Sequence, residues 1–255
     1  MLKVENTEVL GWEHAIRGLR NPMNSWDKSD SYVCNEDCPH ALNDTLPVEC
    51  HNFERDYCVG QNDYDLMKRL VKAGTDHSKF MRMITVYVDV TAPLYFWKEF
   101  KTYRAGRKFS DTTSDVIDSD LFEMDIEMNS CSTMHCIHKK EFTLDDFSHE
   151  HLIDNLSECD GISFEDGINT PKEILLLIID TLNTYRHWFL ETKDKKYWWQ
   201  MIQLLPSSYN QKRTVQLNYA VLRNMYHARV THKLDEWHTL CEWIESLPYS
   251  ELITM

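Results

Sequence analysis

The chain has 255 residues, with 27 Lys and Arg against 41 Asp and Glu, a formal net charge of −14. That length suffices for one or two domains with a sizeable core, while the charge argues against nonspecific nucleic-acid or anionic-membrane binding, since both reward Lys and Arg. No apolar run approaches the ~20 residues of a membrane span, and the opening MLKVENTEVLG lacks the apolar centre of a secretory signal; the expectation is a cytoplasmic protein whose eight Cys are thiols or metal ligands rather than disulfides.

In chain order, residues 2–10 alternate as a strand, and Trp12 to Leu19 form a short helix ended by Arg20-Asn21-Pro22. From about 24 to 62 the composition turns polar and irregular, which reads as an insertion. It carries Cys34, Cys38, His40, Cys50, His51 and Cys58. Four thiolates from Cys34, Cys38, Cys50 and Cys58 are compatible with a structural zinc, although C-x3-C-x11-C-x7-C lacks the paired knuckles of common zinc sites. An irregular insertion with buried thiols is the alternative.

Asp63 to Ala73 is an amphipathic helix with Leu66, Leu70 and Val71 facing in, and Gly74 stops it. Residues 83–90, MITVYVDV, are β-branched and alternating, hence a strand. Ala92-Pro93 opens an aromatic-rich helix reaching Tyr103 or Arg104. A second insertion, about 105–128, carries Asp111, Asp115, Asp118, Asp120, Glu123, Asp125 and Glu127; the ligand order of a calcium loop is absent, so it reads as a solvated segment. Residues 140–168 are loop-rich. Thr170-Pro171-Lys172-Glu173 then starts a helix, with Thr as cap, Pro in the first turn and Glu at the third position. It runs to about Glu191. Further helices cover Lys196–Leu205, Arg213–Val230 and Leu234–Ser246.

The helix expected over Arg213–Val230 organises the chain. Leu217, Val221, Met225 and Ala228 form one apolar stripe, and Tyr219, Leu222, Tyr226 and Val230 a second. Two stripes predict a helix buried centrally or in a subunit interface. It also carries Asn218, Asn224 and Arg229. Asn218 and Arg229, eleven residues apart, would share a face. Polar groups there need partners, either neighbouring helices or an anionic or amide-bearing ligand.

Four stretches, AGTDHSKF (73–80), VDVTAPLYFWKEFKTYRAG (88–106), NSCSTMH (129–135) and LNYAVLRNMYHARVTHKLDEWH (217–238), resemble the flavin-dependent thymidylate synthase family, in a divergent branch seen in Firmicutes and their phages. The resemblance spans roughly residues 60–245. It implies an α/β (α+β) fold, a helix-rich single domain over 1–255 with a small, mostly antiparallel sheet and the two insertions noted above. The implied chemistry is methylation of dUMP to dTMP, with FAD as cofactor and NADPH and methylenetetrahydrofolate as co-substrates, in a homotetramer. The cofactor carries the hard steps, and the protein orients and polarises. Two alternatives remain on the same scaffold: a relative that modifies another pyrimidine nucleotide, and a non-catalytic nucleotide- or flavin-binding interaction protein.

By resemblance, Ser132 and Arg229 act at the reacting nucleotide, with Asn129 and Glu99 also on the substrate. Ser78, Tyr103, Arg104, Asn218 and Asn224 fall on the flavin side. Several positions depart from the family pattern. Thr102 and Tyr103 stand where an Arg and a His are usual, Met134 where an Arg grips phosphate, Glu99 where a Gln lies near the pyrimidine, and Asp76 where a His precedes the Ser78 contact. Arg82, Lys108, Lys212 and Arg213 are cations able to compensate, or plain surface charges. Cys131 and Cys136 flank Ser132, and read as small core hydrophobes rather than nucleophiles. His135 and His232 read as structural histidines or as acid–base groups.

Overall fold

The computed structural model describes residues 2–33, 57–103, 126–155, 158 and 170–255. Cys34, Cys38, Cys50, Arg104, Lys108 and almost all of the acidic segment lie outside them. In chain order the elements are β1 (Lys3–Leu10), α1 (Trp12–Arg20), β2 (Tyr32–Val33), β3 (Tyr57–Cys58), α2 (Gln61–Lys72), β4 (Thr85–Pro93), α3 (Leu94–Phe100), β5 (Glu127–Ser130), α4 (Thr133–Cys136), α5 (Pro171–Thr192), α6 (Lys195–Leu204), β6 (Asn210–Asn218), α7 (Tyr219–Arg229), α8 (Asp235–Glu245) and α9 (Glu251–Thr254). The fold is helix-rich with a small antiparallel sheet, as expected. The chain divides into two compact units.

One unit comprises Val4–Val90, Phe100–Asn129 and Thr214–Met255. Four strands pair in the order β1-β4-β6-β5, and β2 pairs separately with β3, antiparallel. On β4, Val86, Val88 and Val90 are buried and alternate with Tyr87 and Asp89, the period-2 pattern of a sheet with one apolar face. Asp89 ties three strands on the other face: it accepts from Asn6 Nδ2 at 2.9 Å and from Thr214 Oγ1 at 2.6 Å. Trp12, Met67, Met81, Ile84, Phe100, Tyr219 and Trp237 fill the core. Trp12 meets Tyr219 edge-on at 5.4 Å, and the Tyr219 hydroxyl donates to Pro248 O at 2.5 Å. Gly11 allows the turn from β1 into α1: its φ is +97°, and a Cβ there would lie 2.1 Å from Met83 O.

The other unit comprises Met1–Lys3, Thr91–Glu99 and Ser130–Arg213. Helices α5 and α6 pack together over Phe142, Phe147, Leu175, Ile179, Leu182 and Met201. The expected helix start is present as a capping box: Glu173 N donates to Thr170 Oγ1 at 3.2 Å, and Thr170 N to Glu173 Oε2 at 3.0 Å.

Three expectations are corrected. The helix expected over Arg213–Val230 is a strand as far as Asn218, and α7 begins only at Tyr219. Gln211, Arg213, Val215 and Leu217 are buried in alternation, so sheet burial outweighed the helical stripe that runs on from Leu217. Asn218 therefore caps α7, its Oδ1 accepting from Val221 N at 3.1 Å; it does not share a helical face with Arg229. Residues of both stripes are buried within the chain, Val221 and Met225 of one and Tyr219 and Leu222 of the other, while Ala228 and Val230 at their far ends are exposed in the single chain. Finally, Pro93 closes β4, and α3 ends at Phe100 instead of running to Tyr103.

Candidate functional site

In the first unit described above, Arg229 closes the last turn of α7, where a cation complements the negative end of the helix. Its guanidinium lies 5.2 Å from the Tyr103 ring centroid and 4.9 Å from that of Trp237. The two rings meet edge-on at 5.6 Å. Phe100 stacks on Trp237 at 6.3 Å and 10°, and His232 approaches it edge-on at 6.2 Å. Trp237 is wholly buried while Arg229 and Tyr103 are half-buried. Arg229 thus sits in an aromatic bracket, with cation–π attraction to both rings. The turn after α7 is tight: His232 N donates to Arg229 O at 2.9 Å, and His232 Nδ1 accepts from Leu234 N at 3.1 Å. Since Nδ1 is an acceptor there, the ring hydrogen of a neutral His232 lies on Nε2.

The same unit holds the other flavin-side candidates that are described. Asn218 is 9% exposed, and its carbonyl oxygen serves Val221 N, which leaves its Nδ2 donors for any further partner. Asn224 is half-buried on α7. Ser78 precedes the 3-10 turn Lys79–Arg82 and donates to Thr75 O at 3.4 Å. Asn129 lies exposed on β5.

Ser132 and Glu99 belong to the other unit. Glu99 is half-buried on α3. Ser132 caps α4: its Oγ accepts from His135 N at 3.0 Å and stands 3.0 Å from His135 Nδ1. Cys131, Met134 and Cys136 beside it are exposed, Met134 at 55%. The two cysteines are therefore not the core hydrophobes expected. Arg213 is not a surface charge either. It is 8% exposed, its guanidinium lies 4.4 Å over Trp97, and its Nε and Nη2 donate to Gln211 Oε1 at 3.1 and 2.7 Å. Burial lowers its pKa from the usual arginine value.

Sequence reasoning gave no role to Trp237, Gln211 or Trp198. Trp237 carried one available signal, an aromatic eight residues past a cation on a helical stretch. Gln211 could have been found only by reading 211–217 with period 2.

Of the four Cys of the zinc expectation, Cys34, Cys38 and Cys50 lie outside the described residues, and Cys58 is disulfide-bonded. Cys58 thus departs from the expectation of thiols or metal ligands, while Cys131, Cys136 and Cys241 are free. Among the described residues, no cluster of three or more His, Cys, Asp or Glu is placed to hold a metal ion, and no helix is long and apolar enough to cross a membrane.

No protein-family model and no curated protein sequence matches the chain. Among solved structures it is similar to two of thymidylate synthase X from Helicobacter pylori, both with FAD and dUMP. The first has a TM-score of 0.58 at 15% identity, covering 100% of this chain and 97% of that one. The second has a TM-score of 0.56 at 15% identity, covering 98% and 97%. The likeness is one of fold, and it extends over the whole chain.

Proposed function

We propose that this chain is a flavin-dependent thymidylate synthase-like enzyme. It would convert dUMP to dTMP with FAD as cofactor and NADPH and methylenetetrahydrofolate as co-substrates, and assemble as a homotetramer. The observation that carries the reading is the bracketed Arg229, on a fold shared with structures that hold FAD and dUMP. A guanidinium packed against two aromatic rings has its freedom to turn restricted, which suits recognition of a uracil or a phosphate oxygen.

The residues present fit such ligands. Asn218 would offer its Nδ2 donors and the remaining lone pair of its oxygen; Asn224, Ser78 and Tyr103 would complete the flavin side, with Arg104. FAD, when bound, would supply hydride chemistry, and the folate the one-carbon unit. The chain's own contribution is electrostatic and positional. Arg229 stabilises negative charge as carbon 5 of the uracil becomes nucleophilic. Ser132, whose hydroxyl is oriented by His135, would hold the nucleotide, as would Glu99 of the same unit.

A second reading is a binding protein on the same scaffold that has lost catalysis. It is favoured by Met134, exposed where the family resemblance places a phosphate-gripping Arg. The test begins with the purified protein: it should carry or take up FAD with an absorption band near the flavin maximum, and dUMP should perturb that band. Protein that neither accepts FAD nor binds dUMP would overturn both readings. Protein that binds FAD and dUMP yet forms no dTMP would leave only the second.

A further inference from the structure

We infer that Gln211 and Trp198, with Arg213 behind Gln211, are positioning residues: they clamp the exposed segment Cys131–Met134 at both ends and so set the place of Ser132 for a pyrimidine nucleotide. The inference rests on the function proposed above, and it concerns a single unit of the chain.

At the first end, Gln211 Nε2 donates to Cys131 O at 2.6 Å, and Cys131 N donates to Lys212 O at 3.0 Å. At the second, Trp198 Nε1 donates to Met134 O at 3.0 Å. Between these points Ser132 Oγ is held by His135. The Gln211 amide has only one workable orientation. Its oxygen accepts two N–H groups of Arg213, so its nitrogen must face the Cys131 carbonyl. Arg213 is fixed in turn by stacking on Trp97, whose Nε1 donates to Ala92 O at 3.0 Å and Gln211 O at 3.1 Å. Gln211, Arg213 and Trp97 are 7%, 8% and 1% exposed, whereas Cys131, Ser132 and Met134 are on the surface. A buried polar relay thus ends on the carbonyl next to the one serine assigned to the nucleotide. Buried side chains locked by packing and hydrogen bonds are what hold a binding group to sub-ångström tolerance.

Gln211→Glu separates positioning from folding. The carboxylate still accepts from Arg213, now as an ion pair, but it presents an oxygen to the Cys131 carbonyl and releases that end of the segment. We expect a melting temperature at or above that of the parent and an unchanged FAD content. Alkylation of Cys131 by iodoacetamide, read by mass spectrometry, should speed up several-fold. The Kd for dUMP should rise about tenfold, the scale of one lost hydrogen bond, and the KM for dUMP more than kcat falls. Trp198→Phe opens the other end and should move Cys131 alkylation and dUMP affinity the same way, so the inference stays testable if the first variant does not fold. Parental Cys131 reactivity and dUMP affinity in both variants would overturn the clamp. Faster Cys131 alkylation in a protein whose parent does not bind dUMP at all would instead overturn the functional reading, and with it the assignment of the clamp to a nucleotide.

Discussion

The sharpest energetic prediction concerns Asp63. This carboxylate is completely buried, and Arg20 beside it is 5% exposed. One oxygen, Oδ1, accepts from Arg20 Nε and Nη2, both at 2.7 Å. The other, Oδ2, accepts from the Ser29 and Ser31 hydroxyls, each at 2.6 Å, and from the amides of Asp30 and Ser31 at 3.2 Å. Asp63→Asn removes the charge and turns an NH2 toward donors. The hydroxyls can rotate to accept it, but the two amides cannot, and Arg20 is left buried without its counter-ion. Breaking a buried pair from one side costs about 3–5 kcal/mol, and this variant should fall at the upper end. Arg20→Met should cost about 3 kcal/mol, because Asp63 keeps four donors. The double variant should cost less than the sum by about 1–3 kcal/mol. Urea denaturation followed by far-ultraviolet circular dichroism measures all three. The pH dependence has a definite sign. Burial alone would raise the Asp63 pKa, but the hydroxyls of Ser29 and Ser31 and the Arg20 guanidinium outweigh it and lower the pKa. A depressed carboxylate contributes stability above its unfolded pKa of about 3.9, and that stability is lost as pH falls through the lower folded value. The gap between parent and Asp63→Asn should therefore be flat from pH 5 to 8 and shrink below about pH 4. A cost under about 1 kcal/mol, or additive single variants, would refute the reasoning.

Arg229→Ala should abolish dUMP binding by calorimetry while leaving the sedimentation profile intact; Arg229→Lys should not restore it, since an ammonium cannot keep the planar, two-ring geometry. Gly11→Ala should destabilise by about 3 kcal/mol or more, from left-handed backbone together with the 2.1 Å approach to Met83 O, whereas Gly74→Ala, at φ +107° with open space around it, should cost only about 1–2 kcal/mol; equal costs would show that the close approach is relieved cheaply. Burial, then Glu245 and Glu242, push the Cys241 thiol up to about 11, so at pH 8 iodoacetamide should label the exposed Cys131 and Cys136 and spare Cys241; comparable labelling of all three would contradict that.

Where local chemistry and burial agreed, the fold was legible in the sequence. The capping box at Thr170, the stop at Gly74 and the β-branched alternation of 85–90 each combine a backbone signal with a matching apolar pattern, and each stands where expected. The failure at 210–218 has a physical cause. Gln211 and Arg213 occupy inward positions of β6, so the alternation that marks a half-buried strand was masked by polar residues on the wrong face. Those residues are satisfied by one another and by Trp97, a relation that spans 116 positions and leaves no local trace. The candidate site was legible to the same degree. Arg229 is identifiable as a cation needing partners, but of its two rings only Trp237 is near in sequence, and Tyr103 stands where the resemblance marks a departure from a family His. Tyr103 in fact forms one wall of the bracket around that arginine. Asn218, read as a helical residue, is instead the cap at the strand-to-helix junction.

The most direct test is product formation. The purified protein would be supplied with FAD, dUMP, methylenetetrahydrofolate and NADPH, and dTMP quantified by mass spectrometry against a reaction without dUMP. We expect dTMP to accumulate, with NADPH oxidation stimulated by dUMP and both lost in Arg229→Ala. FAD-loaded protein that binds dUMP but yields no dTMP would contradict the proposed activity.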